Sequence, residues 1–131
     1  MHDPISTLKP KLPVTVPDDS TLGFALQIMI DREIGAVLVV DAQDQLVGIL
    51  TERDFLQKVV GETSEYAHLP IIPVMTKAPE TVGPDDSLAV ALYKMDVGGY
   101  RHLPVVSDGM PVGIISVRDV IRHITRLCRE K

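Results

Sequence analysis

The sequence predicts a mixed α/β (α+β) protein made of two tandem β-α-β-β-α units. Three observations lead there. The stretch "GILTERD" at residues 48–54 returns as "GIISVRD" at residues 113–119. Thr15, Leu22, Ala25 and Met29 return at one constant spacing as Thr81, Leu88, Ala91 and Met95. Apolar residues also follow the same succession in both halves, first at helical spacing and then in short β-branched runs.

Each element has its own local cause. Short extended pieces at residues 14–16 and 80–82 are bounded by proline and glycine. "DDST" and "PDDS" then place side-chain oxygens where a helix start needs acceptors for its free N–H groups. Leu22, Ala25, Leu26 and Met29 fall on one face of the first helix, and Leu88, Ala91, Leu92 and Met95 on one face of its repeat. "AVLVV" with "LVGIL", and "LPVV" with "PVGII", are too short and too β-branched for helices and read as strand pairs. "AQDQ" and "SDG" are the hairpin turns, and the register slips by one residue between them, where a turn tolerates a deletion. A second helix follows each hydroxyl residue, over residues 52–60 and 117–129. Leu22, Met29, Val39, Leu88, Met95 and Val105 are expected in the core. The expected organisation is repeat one at residues 8–60, a linker at 61–73 and repeat two at 74–128.

Composition limits the function. A chain of 131 residues suits one compact domain or two small halves sharing a core. With 45% hydrophobic but only 4% aromatic residues and no tryptophan, that core must be built from Val, Ile, Leu and Met. A net charge of -5 argues against broad nucleic-acid binding, and Lys9 and Lys11 are too few for a basic arm. The single cysteine, Cys128, excludes an internal disulfide and suits a reducing compartment. No signal-peptide pattern or membrane-length apolar run is present, so a cytoplasmic protein without membrane or nucleic-acid partners is expected. His2, His68, His102 and His123 have no metal-ligand spacing, so no metal site is expected.

The duplicated motif supports two readings. Thr51 and Ser116 close a strand and open a helix, and Asp54 and Asp119 follow three residues later. That is the spacing of a capping box, in which hydroxyl and acid satisfy each other's backbone N–H groups. The same helix start also presents free N–H groups and a positive dipole end to a phosphate, while an acid on the first turn can accept from a ribose diol. Gly48 and Gly113 lie inside strands, where glycine suggests close approach by another group, a ligand among the candidates. Spacing alone does not choose between these readings.

The order and double occurrence of these motifs resemble a tandem pair of CBS domains, the Bateman module, over about residues 8 to 128. The resemblance rests on "PVTVPDDSTL" and "PETVGPDDSL", on "IGAVLVVD" and "YRHLPVVSD", and on "GILTERD" and "GIISVRD". It implies two repeats around a pseudo-twofold axis with two clefts for adenosine-containing ligands: AMP, ADP, ATP, NAD-type nucleotides or S-adenosylmethionine. By resemblance, Asp54 and Asp119 contact ribose, Thr51 and Ser116 lie by ribose and phosphate, and Ile49 and Ile114 line adenine. One site then groups Asp119, Arg118, Ser116 and Ile114 with Thr15, Ile34, Gly35, Ala36 and Arg101. The other groups Asp54, Arg53, Thr51 and Ile49 with Thr81, Arg101, His102 and Leu103. Arg101 has no basic counterpart in repeat one, so the Asp119 site is expected to favour an anionic nucleotide. For Arg53 and Arg118, phosphate contact and plain solvent exposure are both open.

The resulting expectation is a regulatory ligand-sensing module that is not an enzyme, has no catalytic residues and needs no resident cofactor. It acts as a homodimer with an unidentified protein partner. The dimer expectation comes from the family and from the long apolar face of Val120, Ile121, Ile124, Leu127 and Cys128. The alternative is a structural dimerisation module with vestigial ligand sites.

Overall fold

The computed structural model describes residues 1–58 and 63–130, and the chain divides into two units, each with its own apolar core. The first unit is Val14–Pro79. It contains β1 (Thr15–Pro17), α1 (Leu22–Arg32), β2 (Ala36–Val40), β3 (Leu46–Thr51), α2 (Glu52–Lys58), α3 (Thr63–Tyr66) and β4 (Thr76–Lys77). Its four strands form one sheet in the order β1-β2-β3-β4, parallel between β1 and β2 and antiparallel elsewhere.

Helix α1 starts where Thr21 Oγ1 accepts from the Phe24 N–H at 3.2 Å, and it ends on Glu33 in the left-handed region. Leu22, Ala25 and Met29 are buried on one face, as their spacing requires. Every residue of the unbroken run "AVLVV" in β2 is buried. The turn between β2 and β3 is held by Asp41 Oδ1, which accepts from the N–H groups of Gln43 (2.9 Å) and Gln45 (3.0 Å). The helix expected over residues 52–60 is described as far as Lys58. Its last two residues, and the start of the expected 61–73 linker, lie outside the described residues.

The second unit joins Met1–Pro13 to Glu80–Lys131. After a 3₁₀ turn (Ile5–Leu8) it contains α4 (Leu88–Gly98), β5 (His102–Ser107), β6 (Met110–Ser116) and α5 (Val117–Arg129). Ser87 caps α4 as Thr21 caps α1, accepting from the Val90 N–H at 3.3 Å. Gly99, with φ 68°, ends α4 in the conformation glycine adopts without a Cβ penalty. Asp108 and Gly109 form the tight β5–β6 turn with φ of 53° and 79°, the twist a two-residue hairpin loop needs. Both hairpins slip register at the same place, between Val39 and Val40 and between Val105 and Val106. The extended piece expected at residues 80–82 is reduced to one parallel bridge from Val82 to Val105.

Each unit is completed by chain from outside its own repeat. Ile5 N donates to Asp86 O (2.8 Å), Leu88 N donates to Asp3 O (2.9 Å), and Lys11 bridges Ile114. In the other unit Leu22 N donates to Leu69 O (2.7 Å), Ile71 N donates to Ser20 O (3.0 Å), and Thr76 pairs with Ile49. Ile5 and Ile71 are both fully buried anchors of these segments. The six residues expected in the core, Leu22, Met29, Val39, Leu88, Met95 and Val105, are all buried in one or other cluster.

Candidate functional site

At both motifs a strand ends on a hydroxyl residue and runs directly into a helix. Ser116 Oγ accepts from Asp119 N at 3.2 Å, and Asp119 Oδ2 accepts from Ser116 N at 2.8 Å. Thr51 Oγ1 accepts from Asp54 N at 3.2 Å, and Asp54 Oδ2 accepts from Thr51 N at 3.0 Å. Both are capping boxes. Capping engages one carboxylate oxygen in each copy, so it leaves the fate of the other oxygen to decide what the residue can do.

That second oxygen separates the copies. Asp54 is only 6% exposed. Its Oδ1 accepts from Thr76 Oγ1 at 2.7 Å and lies 3.1 Å from Lys58 Nζ. Its Oδ2 also accepts from Thr51 Oγ1 at 3.0 Å, and Lys58 Nζ donates to Met75 O at 3.2 Å. This carboxylate is ringed by donors of its own unit. Asp119 is half-buried, and its Oδ1 lies 3.5 Å from Arg122 Nη1, on a side chain 63% exposed to solvent. An ion pair of that length and exposure binds weakly and yields readily to a competitor.

Around Asp119 the unit gathers several of the expected residues. Val117 N donates to Arg101 O at 3.0 Å, so the exposed Arg101 sits beside the first turn of α5. His102 stands opposite Ser116 and Leu103 opposite Ile115 in the sheet register. Because successive residues point to opposite faces, the half-buried Ile114 and Ser116 share one face while Ile115 enters the core. Arg118 is exposed on the first turn. Leu103 is fully buried in the core cluster, so its side chain serves packing. Thr81 is half-buried, and its carbonyl accepts from Lys94 Nζ at 2.6 Å.

In the other unit, Glu52 N donates to Gly35 O at 3.1 Å, the counterpart of the Val117–Arg101 bond. Ile34 and Gly35 lie in the turn from α1 to β2, Ala36 pairs with Thr51, and Ile49 is buried beside them. Thr15 is exposed in β1 and pairs with Leu38, and Arg53 is exposed on α2. Thus Arg101, Ile114, Ser116, Arg118 and Asp119 belong to one unit, whereas Thr15, Ile34, Gly35 and Ala36 belong to the other.

The strand glycines have a cause within the chain. A Cβ on Gly48 would collide with the Met75 side chain, and one on Gly113 would meet Pro10 Cβ at 2.8 Å. The segments that complete each sheet make a close approach of the kind glycine signalled. Met75, just before "TKAP", is a core residue at 6% exposed. Sequence reading missed Lys58 and Thr76 as partners of Asp54. The acid–lysine spacing of four residues was the available signal for Lys58. Thr76 gave none, since it reaches Asp54 from 22 residues away.

Among the described residues no group of three or more His, Cys, Asp or Glu side chains is placed to hold a metal ion. No described helix is long and apolar enough to cross a membrane.

Comparison with known proteins agrees with this arrangement. The CBS domain family matches residues 5–61 and 66–126. The chain is 39% identical over 104 residues to the CBS domain-containing protein CBSCBSPB5 of Arabidopsis thaliana, covering 79% of this chain and 19% of that protein. The chain therefore spans about a fifth of the length of such relatives. Among solved structures, a CBS-domain-containing protein of Agrobacterium tumefaciens is 31% identical with a TM-score of 0.83, covering 93% of this chain and 99% of that one. A CBS domain protein of Pyrobaculum aerophilum, solved in complex with AMP, is 26% identical with a TM-score of 0.82, covering 98% of this chain and all (100%) of that one. With two successive matches, one to each half of its internal duplication, the chain belongs to the CBS domain family as a tandem pair.

Proposed function

We propose that this chain is a regulatory module that binds an adenosine-containing nucleotide through the Asp119 copy of the motif. The observation that carries the reading is the half-engaged Asp119 carboxylate: Oδ2 caps α5, while among the described residues the partner facing Oδ1 is the solvent-exposed Arg122. In the proposal Oδ1 accepts from a ribose hydroxyl, the Ser116 hydroxyl donates to phosphate at the positive end of α5, and Ile114 packs against adenine. Arg101, held beside that turn by the Val117–Arg101 bond, supplies a positive charge for the phosphate. AMP in the related Pyrobaculum structure supports the ligand class. Binding regulates only if it favours one conformation of the module over another, since equal affinity for both shifts nothing.

No catalytic step is assigned to the chain in this reading. The test is a thermal-shift panel of AMP, ADP, ATP, NAD and S-adenosylmethionine with the purified chain, followed by assay for turnover of any ligand that binds. Stabilisation of about 2.7 kcal/mol is expected at a ligand concentration of roughly 100 Kd. No shift with any of the five, or turnover of one, would overturn the reading.

A second reading, a dimerisation module with vestigial sites, is favoured by apolar side chains left on the surface of α5. Ile121 is 59% and Leu127 40% exposed. Light scattering at micromolar concentration tests the association, which the ligand panel does not.

A further inference from the structure

The two copies of the motif are alike in sequence and differ in what surrounds the carboxylate. At Asp54 the residue four positions on is Lys58, whose ammonium lies 3.1 Å from Oδ1. At Asp119 the same position is His123, whose ring is turned elsewhere: its Nδ1 accepts from Arg126 Nη2 at 3.0 Å, and its buried Nε2 lies 3.7 Å from Asp3 Oδ2, beyond hydrogen-bond reach. The strand register gives the second contrast. Thr76 stands opposite Ile49 and donates its hydroxyl to Asp54 Oδ1 at 2.7 Å. The residue bridged to Ile114 is the exposed Lys11.

We infer that the Asp54 copy is permanently occupied from within, so that the chain takes one nucleotide, at Asp119, rather than two. This rests on the proposed function for the Asp119 copy. A ribose diol offers a carboxylate two hydroxyl donors. Asp54 already accepts from two hydroxyls, an ammonium and a backbone N–H, which together use the acceptor capacity of a carboxylate. An entering diol would have to strip away Thr76 and Lys58, leaving the part-buried Thr76 hydroxyl without its acceptor and the ammonium without its carboxylate partner. Uncharged diol donors do not replace the ammonium. Asp54 is therefore a positioning residue that fastens β4 and the start of α2 to one another. The duplicated motif has been divided into a structural copy and a binding copy.

Two measurements on the full chain test this. Calorimetry with AMP is expected to give one equivalent per chain for the parent. Asp54→Ala, and the milder Asp54→Asn, should keep that equivalent with Kd changed less than about twofold, whereas Asp119→Ala should lose at least about tenfold in affinity. Two equivalents in the parent, or one equivalent lost on replacing Asp54, would overturn the inference. The second measurement needs no ligand and separates this inference from the binding reading. Melting temperatures of Asp54→Ala, Thr76→Val and the double variant should be strongly non-additive, the double variant lying within about 2 °C of Asp54→Ala alone. Additive losses would show that Thr76 does not serve Asp54 and would refute the internal occupant even if AMP never binds. Coupled losses with no AMP binding would retain the occupant and reject only the binding reading.

Discussion

Replacing each motif aspartate by alanine should have very unequal effects on stability. Asp119→Ala removes one carboxylate acceptor from the Ser116 N–H and an ion pair whose arginine is 63% exposed. Loss of a helix-capping interaction costs about 1 kcal/mol, and an ion pair so exposed adds little. Asp54→Ala removes the same capping share, takes the acceptor from Thr76 Oγ1, and leaves the Lys58 ammonium with Met75 O in place of its carboxylate partner, in a site where Asp54 is 6% exposed. A hydrogen bond to a charged group is worth about 1.5–3 kcal/mol, and the contribution of Lys58, 37% exposed, must be discounted for solvent screening. The total is about 3 kcal/mol. For a chain of this size each kcal/mol moves the melting temperature by about 3–5 °C, giving losses of roughly 9–15 °C for Asp54→Ala and 3–5 °C for Asp119→Ala. Differential scanning calorimetry on both variants reads this directly. Equal losses would refute the reasoning, because the two backbone capping bonds are the same in both copies, which differ in what else holds the carboxylate: the Thr51 and Thr76 hydroxyls and Lys58 at Asp54, Arg122 at Asp119.

Three further outcomes follow from the same contacts. Gly23→Ala lies in a helix, where alanine ordinarily gains about 1 kcal/mol, but its Cβ would meet the Ala67 carbonyl oxygen at 2.7 Å and Cα at 2.8 Å. Backbone cannot step aside as a side-chain tip can, so the melting temperature should fall; a rise would contradict the contact. Gly99→Ala should cost about 1 kcal/mol, because φ of 68° at the end of α4 puts a Cβ in the left-handed region, and chemical denaturation would measure it. Asp3→Ala should loosen the first residues from the unit they complete, since it removes the carboxylate that faces His123 and so weakens the hold on a segment whose backbone, at the Asp3 carbonyl, accepts from Leu88 N. Hydrogen exchange at Ile5 and Leu88 should quicken in that variant, and unchanged protection would argue against the tether.

The parts of the fold legible in the sequence were those with a local cause. The α5 bounds follow from Ser116 and from apolar spacing, and the β5–β6 turn follows from Asp108-Gly109. The constant spacing between repeats carries even to the matching register slips after Val39 and Val105. What escaped was made by long-range pairing. The first 13 residues show no periodicity, yet Ile5 is fully buried because it fills the core of a unit that resumes only at Glu80. Likewise Ile71, in the segment expected as linker, anchors the chain that pairs as β4. At the motif, sequence predicted equivalence of Asp54 and Asp119 apart from Arg101. The difference between them arises from Lys58, at a legible spacing of four, and from Thr76, whose hydroxyl is brought to Asp54 by β3–β4 pairing and by no pattern along the chain.

The most direct test of the central claim is isothermal calorimetry with AMP on the parent and on Asp119→Asn. This variant retains an acceptor for the Ser116 N–H while turning part of the carboxylate into a donor, so the cap is largely spared and the diol is not. The account predicts one equivalent of AMP for the parent and a loss of roughly 10- to 150-fold in affinity for the variant, with the melting temperature changed by less than about 3 °C. Undiminished AMP affinity in a folded Asp119→Asn protein would contradict it.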